Sequence, residues 1–158
     1  MKKGPALPAL IMLLCGACAF AQDTASLAAD GAALARQGQY AQAKAKFQQA
    51  ISADPDNATL HLSLGLTCRK LREWDNAAVS LEKAAELDPK LYQANSALAL
   101  LYEGMAIWRP IQKPGYIQKA RKNWQAVIAA APASDTETLE MAKRHLDALD
   151  KFNHPLPK

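Results

Sequence analysis

Histidine, cysteine and serine are the side chains here whose types could carry metal, redox or acyl-transfer chemistry, and their spacing argues against all three. His61, His145 and His154 stand apart, and none has a second His, a Cys or a carboxylate at the spacing of a tetrahedral metal site. His145 adjoins Arg144 and is expected in solvent, whereas His61 falls inside a packing pattern and is expected in or at the edge of the core. Ser63 and Ser96 lack the histidine and acid that would activate a hydroxyl nucleophile. No glycine-rich phosphate loop follows a strand, because no strand is evident. The sequence therefore offers no catalytic residue, no metal ligand and no cofactor site.

The cysteines divide by position. Cys15 and Cys18 lie in the first 21 residues, leaving Cys68 alone in the body, where it falls on the apolar side of a helix and reads as a small buried hydrophobe. One cysteine cannot close an intramolecular disulfide, so packing alone must hold the fold. The leading segment has a basic tip at Lys2 and Lys3, an apolar run from Ala6 to Leu14, and a small-residue exit at Ala19-Phe20-Ala21. That order is a secretory signal peptide over residues 1–21, with cleavage after Ala21. An alternative processing site is Cys18, since Cys15-Gly16-Ala17-Cys18 is similar to a lipoprotein acylation motif, although Cys15 stands where that motif prefers leucine. A retained membrane span would need about 20 apolar residues, and this run is shorter and preceded or interrupted by Pro5 and Pro8. The expected destination is the periplasm or the exterior, with an outer-membrane lipoprotein as the alternative.

Removing Lys2 and Lys3 reduces the 19 basic residues to 17 against 15 acidic ones, a mature charge of +2. So slight an excess does not supply the concentrated basic face of a nucleic-acid binder. Frequent alanine and only 6% aromatic residues favour closely packed helices.

The elements show as a repeat. Asp54-Pro55 and Asp88-Pro89 lie 34 residues apart, and counting back from each brings like residues into register. Gly31 matches Gly65, Leu34 matches Cys68, Tyr40 matches Trp74, Ala43 matches Ala77, Phe47 matches Leu81, and Ala50 matches Ala84. The small residues permit two antiparallel helices to approach. Tyr40, Trp74, Phe47 and Leu81 are expected to fill the space between pairs, with Trp74 and Ala77 buried. The residue before proline is disfavoured in α geometry, so each Asp-Pro step ends a pair, and Asn57 is placed to cap the next helix. A third copy starts on schedule with Tyr92, Leu98, Ala99 and Tyr102, but Ala120, Trp124 and Pro132 resume the pattern nine residues late. The delay falls within 104–115 and reads as an enlarged inter-helix turn. Exposing Ile107, Trp108 and Ile111 there is costly unless they are used, which makes Trp108 a candidate contact. Ser134-Asp135-Thr136-Glu137 then reads as a capping box with Ser134 and Glu137 reciprocal. It opens a helix with Leu139, Ala142, Leu146 and Leu149 on one face.

The period and the Gly–Ala–aromatic–Ala–Pro spacing resemble the tetratricopeptide-repeat (TPR) family from about Thr24 to Pro132. Asp30 departs from the family's usual leucine, and Leu27 and His61 from its frequent tryptophan. The resemblance implies an all-α solenoid of antiparallel helix pairs. Its repeats cover about 24–57, 58–91 and 92–133 within a domain of 22–150, followed by a capping helix of about 135–150 and a flexible tail of 151–158. It also implies a scaffold or adaptor that binds a protein or peptide in a groove lined by the first helix of each pair, and not an enzyme. A lipid-anchored assembly factor and a regulatory subunit docking on an envelope enzyme are the alternatives. By register the groove positions are Ala28, Ala32 and Arg36; Leu62, Leu66, Arg69 and Lys70; and Gln93, Ser96, Leu100 and Glu103. The family's carboxylate clamp is not expected, because Ala28 and Ala32 occupy its lysine and asparagine positions. The expected groove is apolar at Leu62, Leu66 and Leu100, with a basic edge at Arg36, Arg69 and Lys70, suited to an extended or helical peptide with apolar anchors and some acidic character.

Overall fold

A computed structural model describes residues 24–109 and 113–152. The expectations for the export segment, Cys18, Ile111 and the last six residues lie outside that range. Seven helices follow one another, with no strand among the described residues: α1 over 24–36, α2 Tyr40–Ala53, α3 Ala58–Lys70, α4 Trp74–Leu87, α5 Tyr92–Trp108, α6 Lys113–Ala130 and α7 Thr136–Phe152. Each helix packs on the next, giving the stacked antiparallel pairs of an α-solenoid.

Local chemistry sets the boundaries. Asp54 and Asp88, each before a proline, are the C-caps of α2 and α4. Asn57 caps α3 by accepting the Leu60 N–H at 3.3 Å, and its own amide donates to Asp54 at 2.9 Å. The His61 ring meets the Pro55 carbonyl at 2.8 Å, fastening the same turn, and His61 is half-buried. Gly38 and Arg72 occupy the same offset in successive turns, and both are left-handed, with φ of 77° and 61°. Glycine takes that conformation without strain, whereas Arg72 carries a Cβ penalty.

The repeated slots form the core. Ala43, Ala77 and Ala120 are wholly buried, as are Ala50, Ala84 and Val127 one turn or two further on. Phe47, Leu81 and Trp124 occupy the bulky slot at 3% exposure or less, so the late register of the third repeat places its helix correctly. The close approach expected at Gly31 and Gly65 is real. A Cβ on Gly65 would lie 2.6 Å from Leu81 Cγ, and one on Gly31 would lie 2.9 Å from the Phe47 ring. Cys68 is buried, and desolvation pushes its thiol pKa up. Trp74, expected in the core, is only half-buried. It is the first residue of α4, where the helices diverge from the turn.

The third pair corrects a second expectation. The nine additional residues do not form an enlarged turn. α5 has 17 residues against 13 in α3, and α6 has 18 against 14 in α4. One helical turn is added to each helix and one residue to the connection. Proline is tolerated in a first helical turn, where Pro114 sits. Arg109 ties the far end of α5 back to α4 through a two-pronged contact with Asp75, at 2.8 and 2.9 Å, and meets the Tyr116 hydroxyl at 3.2 Å.

The cap of α7 also differs from expectation. The helix starts at Thr136, and Asp135 rather than Ser134 is the cap. Its Oδ1 accepts the Thr138 N–H at 3.2 Å and its Oδ2 accepts the Tyr92 hydroxyl at 2.9 Å. An aspartate serves the two donors with separate oxygens, whereas a serine would have to meet both with one. Ala142 and Leu149 are buried and Leu146 packs on the same cluster, so α7 lies against the third pair. It runs two residues beyond the expected end, to Phe152.

Candidate functional site

Three depressions follow one another between the first helices of successive pairs. The first, about 510 Å³, lies between α1 and α3. Its floor includes Ala32, Ala35 and Leu66, and its rim carries Arg36, Arg69 and Lys70. No acidic side chain lines it. Residues three or four apart on one helix share a face, which brings Leu66, Arg69 and Lys70 to the same edge. Arg36 is steadied by its Nε–H, which donates to the Ala32 carbonyl at 3.3 Å.

The second depression is small, about 70 Å³, and shares Arg69 with the first. Trp74, Leu100, Met105 and Trp108 contribute its apolar wall. Trp108 is 78% exposed, yet it stands on the last turn of α5 and not on a loop. The third depression, about 370 Å³, lies between α5, the start of α6 and α7. Ile107, Ile117 and Leu149 line it, with Glu103 and His145.

Glu103 organises that third depression. Its carboxylate accepts the Trp124 indole N–H at 2.6 Å and meets His145 Nδ1 at 2.9 and 3.1 Å. The His145 ring stacks on Trp124 with centroids 4.7 Å apart. His145, expected in solvent, is thus half-buried and engaged on two sides. The contact joins residues 42 apart, a separation at which helix periodicity carries no information. On the flank, Glu82 accepts the Tyr102 hydroxyl, and Lys119 lies 4.8 Å from the Tyr102 ring centroid. Burial, and then Glu82, push the Tyr102 pKa up. These groups fasten α4, α5 and α6 together away from the depressions.

Of the residues predicted from register, Arg36, Leu66, Arg69 and Lys70 share the first depression, and Arg69, Leu100 and Trp108 share the second. Leu62, Gln93 and Ser96 line none of the three. Leu62 instead packs half-buried against the core, Gln93 is exposed, and the Ser96 hydroxyl is buried with no hydrogen-bond partner. Register reasoning missed Tyr40 and Trp74 as lining residues because it assigned both to the space between pairs. Among the described residues, no group of three or more His, Cys, Asp or Glu is placed to hold a metal ion. No described helix is long and apolar enough to cross a membrane.

Residues 29–92 match the tetratricopeptide repeat family model. No curated protein matches the chain by sequence. Among solved structures, the type III secretion chaperone SycD of Yersinia enterocolitica, in complex with a peptide of the translocator YopD, is 18% identical with a TM-score of 0.69. That match covers 82% of this chain and 93% of the other. The TPR2B domain of yeast Sti1, in an Hsp70 complex, is 14% identical at 0.71, covering 84% and 99%. The second TPR domain of human RPAP3, with an HSP70 peptide, is 18% identical at 0.66, covering 83% and 98%. At these identities the likeness is one of fold, that of an all-α solenoid of stacked helix pairs.

Proposed function

We propose that this repeat solenoid is a docking module that takes an acidic, apolar-anchored segment of another protein on its first-helix face. The observation that carries the reading is the composition of the first depression: an apolar floor at Leu66 under three cations, Arg36, Arg69 and Lys70, with no acid among its lining residues. A peptide with carboxylates beside an apolar anchor complements that surface in both charge and polarity. The same fold holds peptides in SycD and in the RPAP3 domain, which supports a docking role without naming a partner for this chain.

The basic tip, the apolar run and the Ala19-Phe20-Ala21 exit support an exported form starting at Gln22. Docking would then take place in the cell envelope or outside the cell. Cys18 favours a second version, a lipid-anchored assembly factor with the same groove. Intact mass of the protein from its native host separates the two: a chain beginning at Gln22 supports the soluble form, and a diacylated Cys18 terminus supports the anchored one.

Docking itself is tested with Leu66→Asp. Leu66 is half-buried in the floor of the first depression and not in the close-packed slots, so the variant is expected to fold while repelling an acidic, apolar ligand. A partner identified by crosslinking in the native envelope should lose at least tenfold in affinity. Unchanged affinity would remove this face as the site.

A further inference from the structure

The added turn of α5 ends in two consecutive exposed apolar residues, and they serve different depressions. Ile107, 74% exposed, lines the 370 Å³ depression toward α7, while Trp108, 78% exposed, lines the 70 Å³ depression toward α3. Successive helical residues diverge by about 100°, so one turn of helix supplies a wall to each side. Neither residue is buried. The turn is nevertheless held in place, because Arg109 at its end grips Asp75 in α4 with two hydrogen bonds.

We infer that this turn is a ridge separating two anchor pockets, and that the bound segment is an extended peptide with a small and a large apolar side chain three residues apart. The inference rests on the docking reading above. A helix with its side chains is about 10–12 Å across, so pockets on its two sides lie about 10 Å apart. A polyproline II segment rises about 3.1 Å per residue with three residues per turn. Residues i and i+3 therefore point the same way about 9 Å apart, matching that separation. In a β-strand, i and i+3 face opposite sides, and an α-helix spans only about 4.5 Å over the same interval.

The unequal volumes assign each anchor to its pocket. The small pocket, walled by Trp74, Leu100 and Trp108, takes the small side chain, and aromatic walls suit proline or valine. The large pocket takes leucine or phenylalanine against Ile107, Ile117 and Leu149. Arg69 lines the small pocket and continues into the basic rim, so the acidic residues lie on the side of the small anchor. The Glu103 carboxylate and Lys113 lie at the large pocket, which favours neither charge there.

The test is selection of a random phage-displayed 12-residue peptide library on the folded protein. The enriched peptides are then measured against the parent, Ile107→Ser, Trp108→Ala and Leu66→Asp. Both ridge residues are exposed, and unchanged melting of those variants confirms an intact fold. The expected result is a small and a large apolar residue three apart, in either order, with acidic residues flanking the small one. Binding should weaken about 30-fold in Trp108→Ala and about tenfold in Ile107→Ser. Replacing the large anchor by alanine should cost less in Ile107→Ser than in the parent, because Ile117 and Leu149 still line the pocket there. Peptides sensitive to Leu66→Asp but indifferent to both ridge variants, or with anchors at i+2, i+4 or i+7, would overturn the ridge while leaving the docking face standing. Peptides indifferent to all three variants, or no enrichment, would overturn both.

Discussion

The second and third helix pairs carry the same core slots with different lengths of helix around them. In the α3–α4 pair, 13- and 14-residue helices meet at Gly65, where Leu81 leaves no room for a Cβ. In the α5–α6 pair the equivalent position is Ala99, wholly buried, and the opposing slot holds Trp124 instead of leucine. Trp124 there is fixed on two sides, donating its indole N–H to Glu103 of α5 and stacking on the His145 ring of α7. The nine added residues leave Ala120, Trp124 and Val127 in place and emerge instead as one more turn at the ends of both helices. The middle of each pair is fixed by close packing, and small volume changes are costly there. The ends are less tightly packed, and it is at such an end that Ile107 and Trp108 are displayed.

That contrast breaks most readily in the shared slots. Ala77→Arg places a charge in a fully buried position and should destabilise the fold by about 3–5 kcal/mol, read by chemical denaturation. A variant melting like the parent would contradict the repeat register. Trp124→Phe keeps most of the apolar volume but removes the indole donor from Glu103, at an expected cost of about 1–3 kcal/mol. The loss should be accompanied by faster amide exchange in α7 than in α3. Uniform acceleration along the chain would argue against a local tie between α5, α6 and α7.

Smaller effects separate the turns. Asn57→Ala removes the α3 cap and should cost about 1 kcal/mol. Arg72→Gly should stabilise the protein by about 1 kcal/mol by relieving its left-handed strain, as its counterpart Gly38 shows; a loss of stability would mean that the Arg72 side chain is needed there. Acidification should act at the ridge. The Arg109 guanidinium, through its hydrogen bonds, holds the Asp75 carboxyl below the usual carboxylate range. A depressed carboxyl contributes stability above its unfolded pKa and loses it as pH falls through the folded value. Exchange at the end of α5 should therefore speed up below about pH 4, modestly, since Asp75 is 72% exposed. Asp75→Asn should remove that local dependence.

The solenoid was legible because its signals are local and recur: the Asp-Pro steps, the small and bulky slots at fixed offsets, and Asn57 ahead of α3. The nine-residue delay was legible as a displacement, but not as two lengthened helices. Nothing in the composition of 104–115, with its two prolines and two glycines, distinguishes a helix extension from a loop. The same locality brought Arg36, Leu66, Arg69 and Lys70 to one depression. It misjudged His145 and Trp74, whose surroundings are set by residues on other helices. Ser134 was preferred to Asp135 as a cap because the cap's second partner, Tyr92, lies 43 positions away.

The most direct test of docking is hydrogen exchange by mass spectrometry on the protein with and without the segment of a crosslinked partner that binds it. Protection is expected on α3 and α5, including the 104–109 turn, with α2 and α4 unchanged on their outer faces. Protection confined to the α2–α4 side, where Ile51, Leu64 and Val79 line a separate depression, would place the partner on the opposite surface and contradict the first-helix site.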